Sequence, residues 1–523
     1  MNQVFYIEEL VQRIASNADR GASGSSSLFA FACCCKTLED PAMDVLWQRQ
    51  KHLHVILRTL PANCWSIKDQ VFVSGNAFGP HSLLIHLEFR YQRLTRTPTT
   101  KQWERFKKYA GRVVELSIGR LRNWEVSFGT ISFLGKRTTL EPLWPRLTAL
   151  TLTSGLGWDA VPYTLSFLSP KITDFTLVLP QRSNILVLSA ASDRCRWLQR
   201  LVLDVVAGGS LTIEGVVGLI SACRDTLRNL EIISPFRAEY LAVIATLPHL
   251  RTLRLETAQF PCDLPLDAFP SLEEVTILRF HGPRLQHFFS RLRSTNLKLV
   301  KVYGIDTIAF KKSIAVLSKF STSLEVLEIA AVVNLDLPDS LVPHLLFANL
   351  RKLHVGCLRW GDGLIHGPCM FRSTDLAIAK LGAAIPNIAH LTLGSPTCPN
   401  LLCVTFLSLV SLSKTCRDLE SLVIKVDLMS MITRSPRGSE DGAGDMGLGG
   451  TGGNACKLRR LVVGLSVLPD SPDSKWLVAI GLGKLFPYLT QISVYSGDQH
   501  KWGEVERNIK ISRRILRNIQ ESD

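Results

Sequence analysis

The sequence has no apolar run that approaches the ~20 residues needed to cross a bilayer, and no C-x-x-C pair among its thirteen cysteines. The first absence argues against a membrane-spanning helix, the second against a zinc ribbon or a dithiol redox centre. Neither G-x-S-x-G nor H-E-x-x-H occurs, which removes two readily legible hydrolase signatures. The opening MNQVFYIEELVQR carries acids where a secretory leader would carry bases followed by an apolar stretch. No signal peptide is expected, and the location it implies is cytoplasmic and/or nuclear.

What is present is the composition of a folded chain, 46% apolar and 20% charged. At 523 residues it exceeds one ordinary core, so several domains or an elongated repeat array are expected. Cys33, Cys34 and Cys35 stand side by side, but adjacent helical positions point 100° apart and cannot converge on one ion. Cys398 and Cys403 have no histidine or second pair nearby. Packing is therefore the reading for the cysteines, and neither metal nor cofactor is expected. The twelve histidines are mostly isolated, and His52 and His54 would point apart on a helix. No enzyme is expected.

The formal net charge is +15, yet Lys and Arg are spread along the chain. The densest stretch, RNIKISRRILRN, interleaves Ile509, Ile511, Ile515 and Leu516, with Ile519 just beyond. This reads as an amphipathic helix over 501–523 that caps the end of a structure. Nucleic-acid or membrane binding through it is the lesser reading, because a charge run is usually a solvated face.

A short pattern recurs through most of the chain. PRLTALTLTS places Leu147, Leu150 and Leu152; PHLRTLRLE places Leu250, Leu253 and Leu255; NLRKLHVGC places Leu350, Leu353 and Val355. Looser copies hold Leu198, Leu201 and Leu203, or Leu324, Leu327 and Ile329, and a possible first copy holds Val113, Leu116 and Ile118. Between Leu147 and Leu350 the copies return every 22 to 29 residues, which is the period of leucine-rich repeats. In L-x-L both apolar side chains share one face of a short strand. Helical-period stretches such as GVVGLISACRDT and STDLAIAKLGAAI fall between the copies. The expected fold is an α/β leucine-rich-repeat solenoid, a horseshoe, over 113–500, with short parallel strands on its inner wall. The glycine-rich tract 433–457 is expected to be a disordered insertion. Its Gly447, Gly449 and Gly452 match G-x-G-x-x-G only formally, since no strand precedes and no helix follows.

Residues between and just after the leucine pairs have no packing duty. Arg254, Glu256, Lys301, Tyr303, His354, Lys425 and Tyr495 lie there, with Arg279 just beyond its strand. This mixed basic and aromatic set suits an acidic or phosphorylated partner.

Residues 1–50 follow a different pattern: Ile7, Leu10, Val11 and Ile14, then a flexible tract DRGASGSSS, then Leu28, Phe31, Cys35, Leu38, Val45 and Leu46 at threes and fours. Three short helices are expected, with a helical connection over 51–112. Ile7, Glu8, Glu9 and Leu10, followed by CCKTLEDPAMDVLW with its Leu46–Trp47 pair, resemble the F-box, the motif that binds the Skp-type adaptor of cullin-RING ubiquitin ligases. EDPAMDVLW is especially similar to F-box proteins of mushroom-forming fungi, in which W-x-R-F-x-x-Y-A and a leucine-rich array also follow, as in WERFKKYAGRV here. The resemblance implies an all-α F-box module at 1–50 that contacts the adaptor through Ile7, Leu10, Val11, Ile14, Leu28, Cys35, Leu38, Leu46 and Trp47. It further implies a substrate-receptor subunit of an SCF-type ligase whose repeats hold a target protein. The chain departs from the pattern at Glu8, where proline is usual, at Ala18, where leucine is usual, and at Leu38, where tryptophan is common. Those departures keep open a second reading, a protein-binding leucine-rich-repeat scaffold not coupled to a ligase.

Overall fold

In the computed structural model, the described residues are 8–18, 24–74, 85–119, 124–140, 143–153, 161–178, 184–204, 213–233, 238–256, 264–278, 285–305, 307–331, 335–336, 345–357, 371–394, 404–428, 455–464, 466, 468, 470–494 and 499–522. Contacts divide the chain into two units, Met1–Leu250 and Arg251–Asp523. Ile7, Arg279, Tyr495 and the tract 433–454 lie outside the described residues.

The first unit begins with three helices, α1 (Glu8–Ala18), α2 (Gly24–Cys34) and α3 (Lys36–Gln48). Ala15, Leu28 and Val45, one from each helix, form its small core, with Phe31 and Leu46 packed on it. Two expectations are corrected here. The tract GSSS is not a flexible break but the first turn of α2. The helix interruption falls instead at Cys35, which is extended (φ −164°, ψ 161°) and stands as N-cap of α3. The cysteine triplet therefore straddles a boundary, with Cys33 and Cys34 exposed.

The chain leaves α3 directly into a strand. Arg49–Gln50 pairs in parallel with Glu115–Ile118, which is followed in order by Ala149–Leu152, Asp174–Val178, Arg200–Asp204 and Asn229–Ile233. The sheet thus starts inside the span assigned to the helical module. Residues 51–112 are not wholly helical either. Trp65–Ser74 and Ile85–Leu94 form an antiparallel pair over ten residues each, and Trp124–Val126 adds to it in parallel. The alternation Ile85, Leu87, Phe89, Tyr91 with polar residues between is a strand period.

The helix Thr100–Ala110 joins the two parts. Thr99 and Gln102 close a capping box at its start. Trp103 and Phe106 stack at 5.0 Å, Phe106 meets Trp144 edge-on at 6.2 Å, and Tyr109 lies 4.8 Å from the ring of Trp47 on α3. Just beyond, Arg112 donates to the backbone oxygen of Asp40 at 2.8 Å and to the carboxylates of Asp40 and Asp44. Arg146 donates to the other Asp44 oxygen at 2.9 Å. The guanidinium of Arg112 beside Asp40 holds that carboxyl below its ordinary value of 3.8, against the opposing pull of its slight burial.

The second unit repeats one plan. Its strands Thr252–Glu256, Glu274–Leu278, Leu299–Ile305, Val326–Ala331, Lys352–Cys357, His390–Leu393, Ser421–Val423, Arg460–Val462 and Gln491–Ser493 lie side by side in chain order, all parallel. The register sets Leu253, Val275, Val300, Leu327, Leu353, Leu391, Leu422 and Leu461 in one row. All are buried. Both units are therefore mixed α/β with the parallel, solenoid-like stacking that the leucine spacing predicts.

Turns of successive repeats are stitched by side chains that donate to carbonyls of the repeat before. Cys223 Sγ donates to Cys195 O at 3.1 Å, Thr226 to Leu198 O at 2.8 Å, Ser294 to Leu272 O at 2.6 Å, Asn387 to Ala348 O at 3.0 Å and Cys456 Sγ to Cys416 O at 3.3 Å. Cys456 belongs to the range assigned to the disordered insertion, so the next repeat is already ordered there. The last helix, Gln499–Ser522, lies on the last strand, where Ile492 N–H donates to Glu506 at 3.4 Å. It buries Trp502, Val505 and Ile509. Ile511 and Ile515, expected on its apolar face, are 43% and 49% exposed.

Two outcomes test this description. Arg112→Met removes three bonds to α3, and the expected loss is about 1–2 kcal/mol in chemical denaturation, since Asp40 is 70% exposed and solvent screens it. Because the folded-state Asp40 titrates below its ordinary value, this contribution is complete above that value and fades as pH falls beneath it. Thiol labelling read site by site by mass spectrometry should modify Cys33 and Cys34 in minutes at neutral pH. Cys195, pushed up to about 12 by burial, and Cys223 and Cys456, pushed up to about 11 by burial, should react only after unfolding.

Candidate functional site

Side chains that alternate with the buried rows face outward. In the second unit the register aligns Arg254, Thr276, Lys301, Glu328, His354 and Thr392 across adjacent strands. Glu328 is the hub, though only 8% exposed. Its Oε1 takes Lys352 Nζ at 2.7 Å, and its Oε2 takes Lys301 Nζ at 3.4 Å and the Tyr303 hydroxyl at 2.8 Å. Tyr303 reaches it from the next outward position along its own strand, just before Gly304 (φ 89°) and the register shift at Ile305.

Burial alone would raise the Glu328 carboxyl, but the bonds from Lys352 and Tyr303 and the charges of both lysines outweigh it and hold it below 4.5. Tyr303 is pushed up, first by burial and then by donating to the Glu328 carboxylate. His354 is pushed down, first by burial, with Lys352 adding to the effect and Glu328 opposing it. Gly356 leaves room for that imidazole, since a Cβ there would lie 3.0 Å from His354 Nε2. The result is a preset cluster of two ammonium groups on one carboxylate. Its spare N–H donors suit an acceptor on another molecule.

Of the residues the sequence assigned to this wall, Lys301, Tyr303 and His354 come together, and Arg254 lies close enough for its charge to act on Tyr303. Glu256 ends the same strand as Arg254. Lys425 lies two residues past the end of the Ser421–Val423 strand. Glu328 and Lys352 were missed, although Glu328 stands between Leu327 and Ile329 as the outward rule requires.

At the other end of the chain, the structure sorts the residues assigned to an adaptor. Val11, Leu28 and Leu38 are buried inside the three-helix unit. Leu46 and Trp47 are half-buried, against the core and Tyr109 respectively, and Cys35 is a helix boundary. Leu10 and Ile14 face out from α1 one turn apart, 37% and 42% exposed. Phe29, next to buried Leu28 on α2, is 59% exposed and was not anticipated.

Among the described residues no group of three or more His, Cys, Asp or Glu side chains could hold a metal ion, and no helix is long and apolar enough to cross a membrane. His52 and His54 do not point apart: their rings lie 5.1 Å from one another. Burial, then the charges of His52 and Arg58, push His54 down to about 4. No family model and no curated protein matches the chain. Among solved structures, the crystal structure of the Rad7 and Elc1 complex in yeast is similar over 56% of this chain and 80% of that chain, at 17% identity and a TM-score of 0.31.

Glu328→Gln should bring the Tyr303 titration back toward 10.0 in an ultraviolet pH titration. It should also cost about 1–3 kcal/mol, because two half-buried ammonium groups lose their counter-charge. That loss is full above 4.5 and vanishes as pH falls and wild-type Glu328 itself protonates.

Proposed function

We propose that the chain is the substrate-receptor subunit of an SCF-type cullin-RING ubiquitin ligase. In this reading α1–α3 bind a Skp-type adaptor and the inner wall of the repeats binds the target protein. The observation that carries it is the exposed pair Leu10 and Ile14 on a three-helix unit whose sequence follows the F-box pattern. An isolated helix gains nothing by exposing two branched apolar residues one turn apart, and an interface does.

The Arg112 bonds to α3 add to this reading. They tie the adaptor-facing helices to the first repeats. The chain itself transfers nothing; it contributes proximity and orientation. The Lys301–Glu328–Lys352 cluster fits a target segment that offers acidic groups.

Isothermal titration with purified Skp-type adaptor tests the proposal. Wild type should bind, and the double variant Leu10→Asp, Ile14→Asp should bind at least about tenfold more weakly. Both positions are exposed, so the variant should keep its thermal midpoint. No binding by wild type, or equal binding by the variant, overturns the reading and leaves the uncoupled scaffold in its place.

A further inference from the structure

The outward face of the first unit's sheet carries a hollow of about 440 Å³, and most of the residues around it are polar. Strand register explains its shape. Arg49, Glu115, Ala149, Asp174 and Arg200 stand side by side on five adjacent strands. Two positions further along, the same face carries Ser117, Thr151 and Thr176 in register. Ala149 ends in a methyl group and the three hydroxyl side chains are short, so the longer charged side chains on both sides stand above a low centre.

Across that row the charges run plus, minus, none, minus, plus. Glu115 and Asp174 flank Ala149 at two strand spacings from one another, about 10 Å. Each carboxylate is engaged through one oxygen. Glu115 Oε1 lies 3.1 Å from Arg49 Nε, and Asp174 Oδ2 accepts from the Thr173 hydroxyl at 2.9 Å. The other oxygen of each accepts no hydrogen bond among the described residues, and neither do the hydroxyls of Ser117, Thr151 and Thr176. Gln50 also lines the hollow and is only 8% exposed. Its Nε2 donates to Leu46 O at 3.1 Å, while its Oε1 accepts nothing among the described residues. An almost buried amide oxygen without a donor is costly, which points to a donor brought from outside. Lys51 and Arg200 are exposed and unpaired among the described residues. They stand at opposite ends, four strand spacings or about 19 Å apart, too far to close on one phosphate or carboxylate.

We infer that this hollow takes one basic side chain of a partner protein, an arginine or a lysine, seated over Ala149 between Glu115 and Asp174. Its N–H groups meet the spare carboxylate oxygens, and the hydroxyl floor accepts those that remain. Arg49 and Arg200 then meet acidic groups on either side of that residue, and they repel a segment that is basic throughout. The row thus selects an order of charge, acidic, basic, acidic. It is the reverse of the Lys301–Glu328–Lys352 cluster, which sets two cations around one acid. The inference rests on the proposed use of the repeats as the surface that binds a target, and it names what the first unit recognises; adaptor binding does not enter it.

The test uses the full chain, without adaptor, and a short labelled peptide with Arg at its centre and Glu two residues to either side on a Gly-Ser background, followed by fluorescence anisotropy. A second peptide reverses the charges, with Glu at the centre and Arg at the flanks. A third carries Arg at all three positions. Saturable binding of the first peptide is expected, with the other two at least about tenfold weaker. Ala149→Lys places an ammonium group where the occupant's would lie, and it should weaken the first peptide about tenfold or more. Glu115→Gln and Asp174→Asn keep the shape and remove the charge, and each should weaken it about fivefold. Ala149 is only half-buried on the outward row, so the thermal midpoint should be kept; were Ala149→Lys to unfold, the two isosteric variants decide. No saturable binding of the first peptide up to about 1 mM, equal or tighter binding of either control peptide, or binding indifferent to the folded variants overturns the inference. With no adaptor in the assay, that failure leaves the titration of Skp-type adaptor to judge the ligase reading by itself.

Discussion

A strand of three to seven residues with a greasy face cannot shelter that face alone, and this constraint governs the molecule. Leu253 is covered because Val275 stands beside it, Val275 because Val300 does, and so on through Leu461. The same dependence reappears in the turns, where Cys223, Thr226, Ser294 and Asn387 satisfy carbonyls of the preceding repeat. A buried carbonyl left unmade costs more than the bond gains, so each repeat needs its neighbour for polar as well as apolar reasons. The thiols serve here as small donors inside an apolar turn, and that is why burial drives their titration upward.

Because the buried rows carry the stability, the outward positions are free to vary in chemistry. Only there can Glu328 gather Lys301, Lys352 and Tyr303 without disturbing the core. One carboxylate against two ammonium groups leaves the cluster a single positive charge, and this moderates the picture of a simply basic wall that net charge suggests.

Much of the fold was legible because one rule, L-x-x-L-x-L, names both the strand and its buried face, and every copy between Leu147 and Leu461 is buried as that rule requires. The antiparallel pair Trp65–Ser74 and Ile85–Leu94 lies where a helical connection is expected, and the alternation of Leu87, Phe89 and Tyr91 is the strand signal in that span. The break at Cys35 left no mark, because an extended cysteine before a helix carries neither a capping side chain nor a glycine. In the last helix, the run of isoleucines masked the actual stripe, Trp502, Val505 and Ile509, which starts earlier and follows i, i+3, i+7. Glu328 gains its role from Lys301 and Lys352 on the two neighbouring strands, and spacing within one copy of the repeat does not reveal partners across strands. Which of the front-end residues serve the core and which the surface depends on how three helices rotate against one another, and spacing alone does not fix that rotation.

The hydrogen bond from Ile492 N–H to Glu506 has a bearing on how the protein behaves in a crowded solution. A parallel sheet that simply stopped at Gln491–Ser493 would offer a ready template to the first exposed strand of any other chain. By folding its own tail across that border and spending a carboxylate on one of the bare amides, the molecule withdraws the template. An array built by adding like to like thus ends in a unit that refuses further addition, which keeps the principle that builds one molecule from threading many into a fibre.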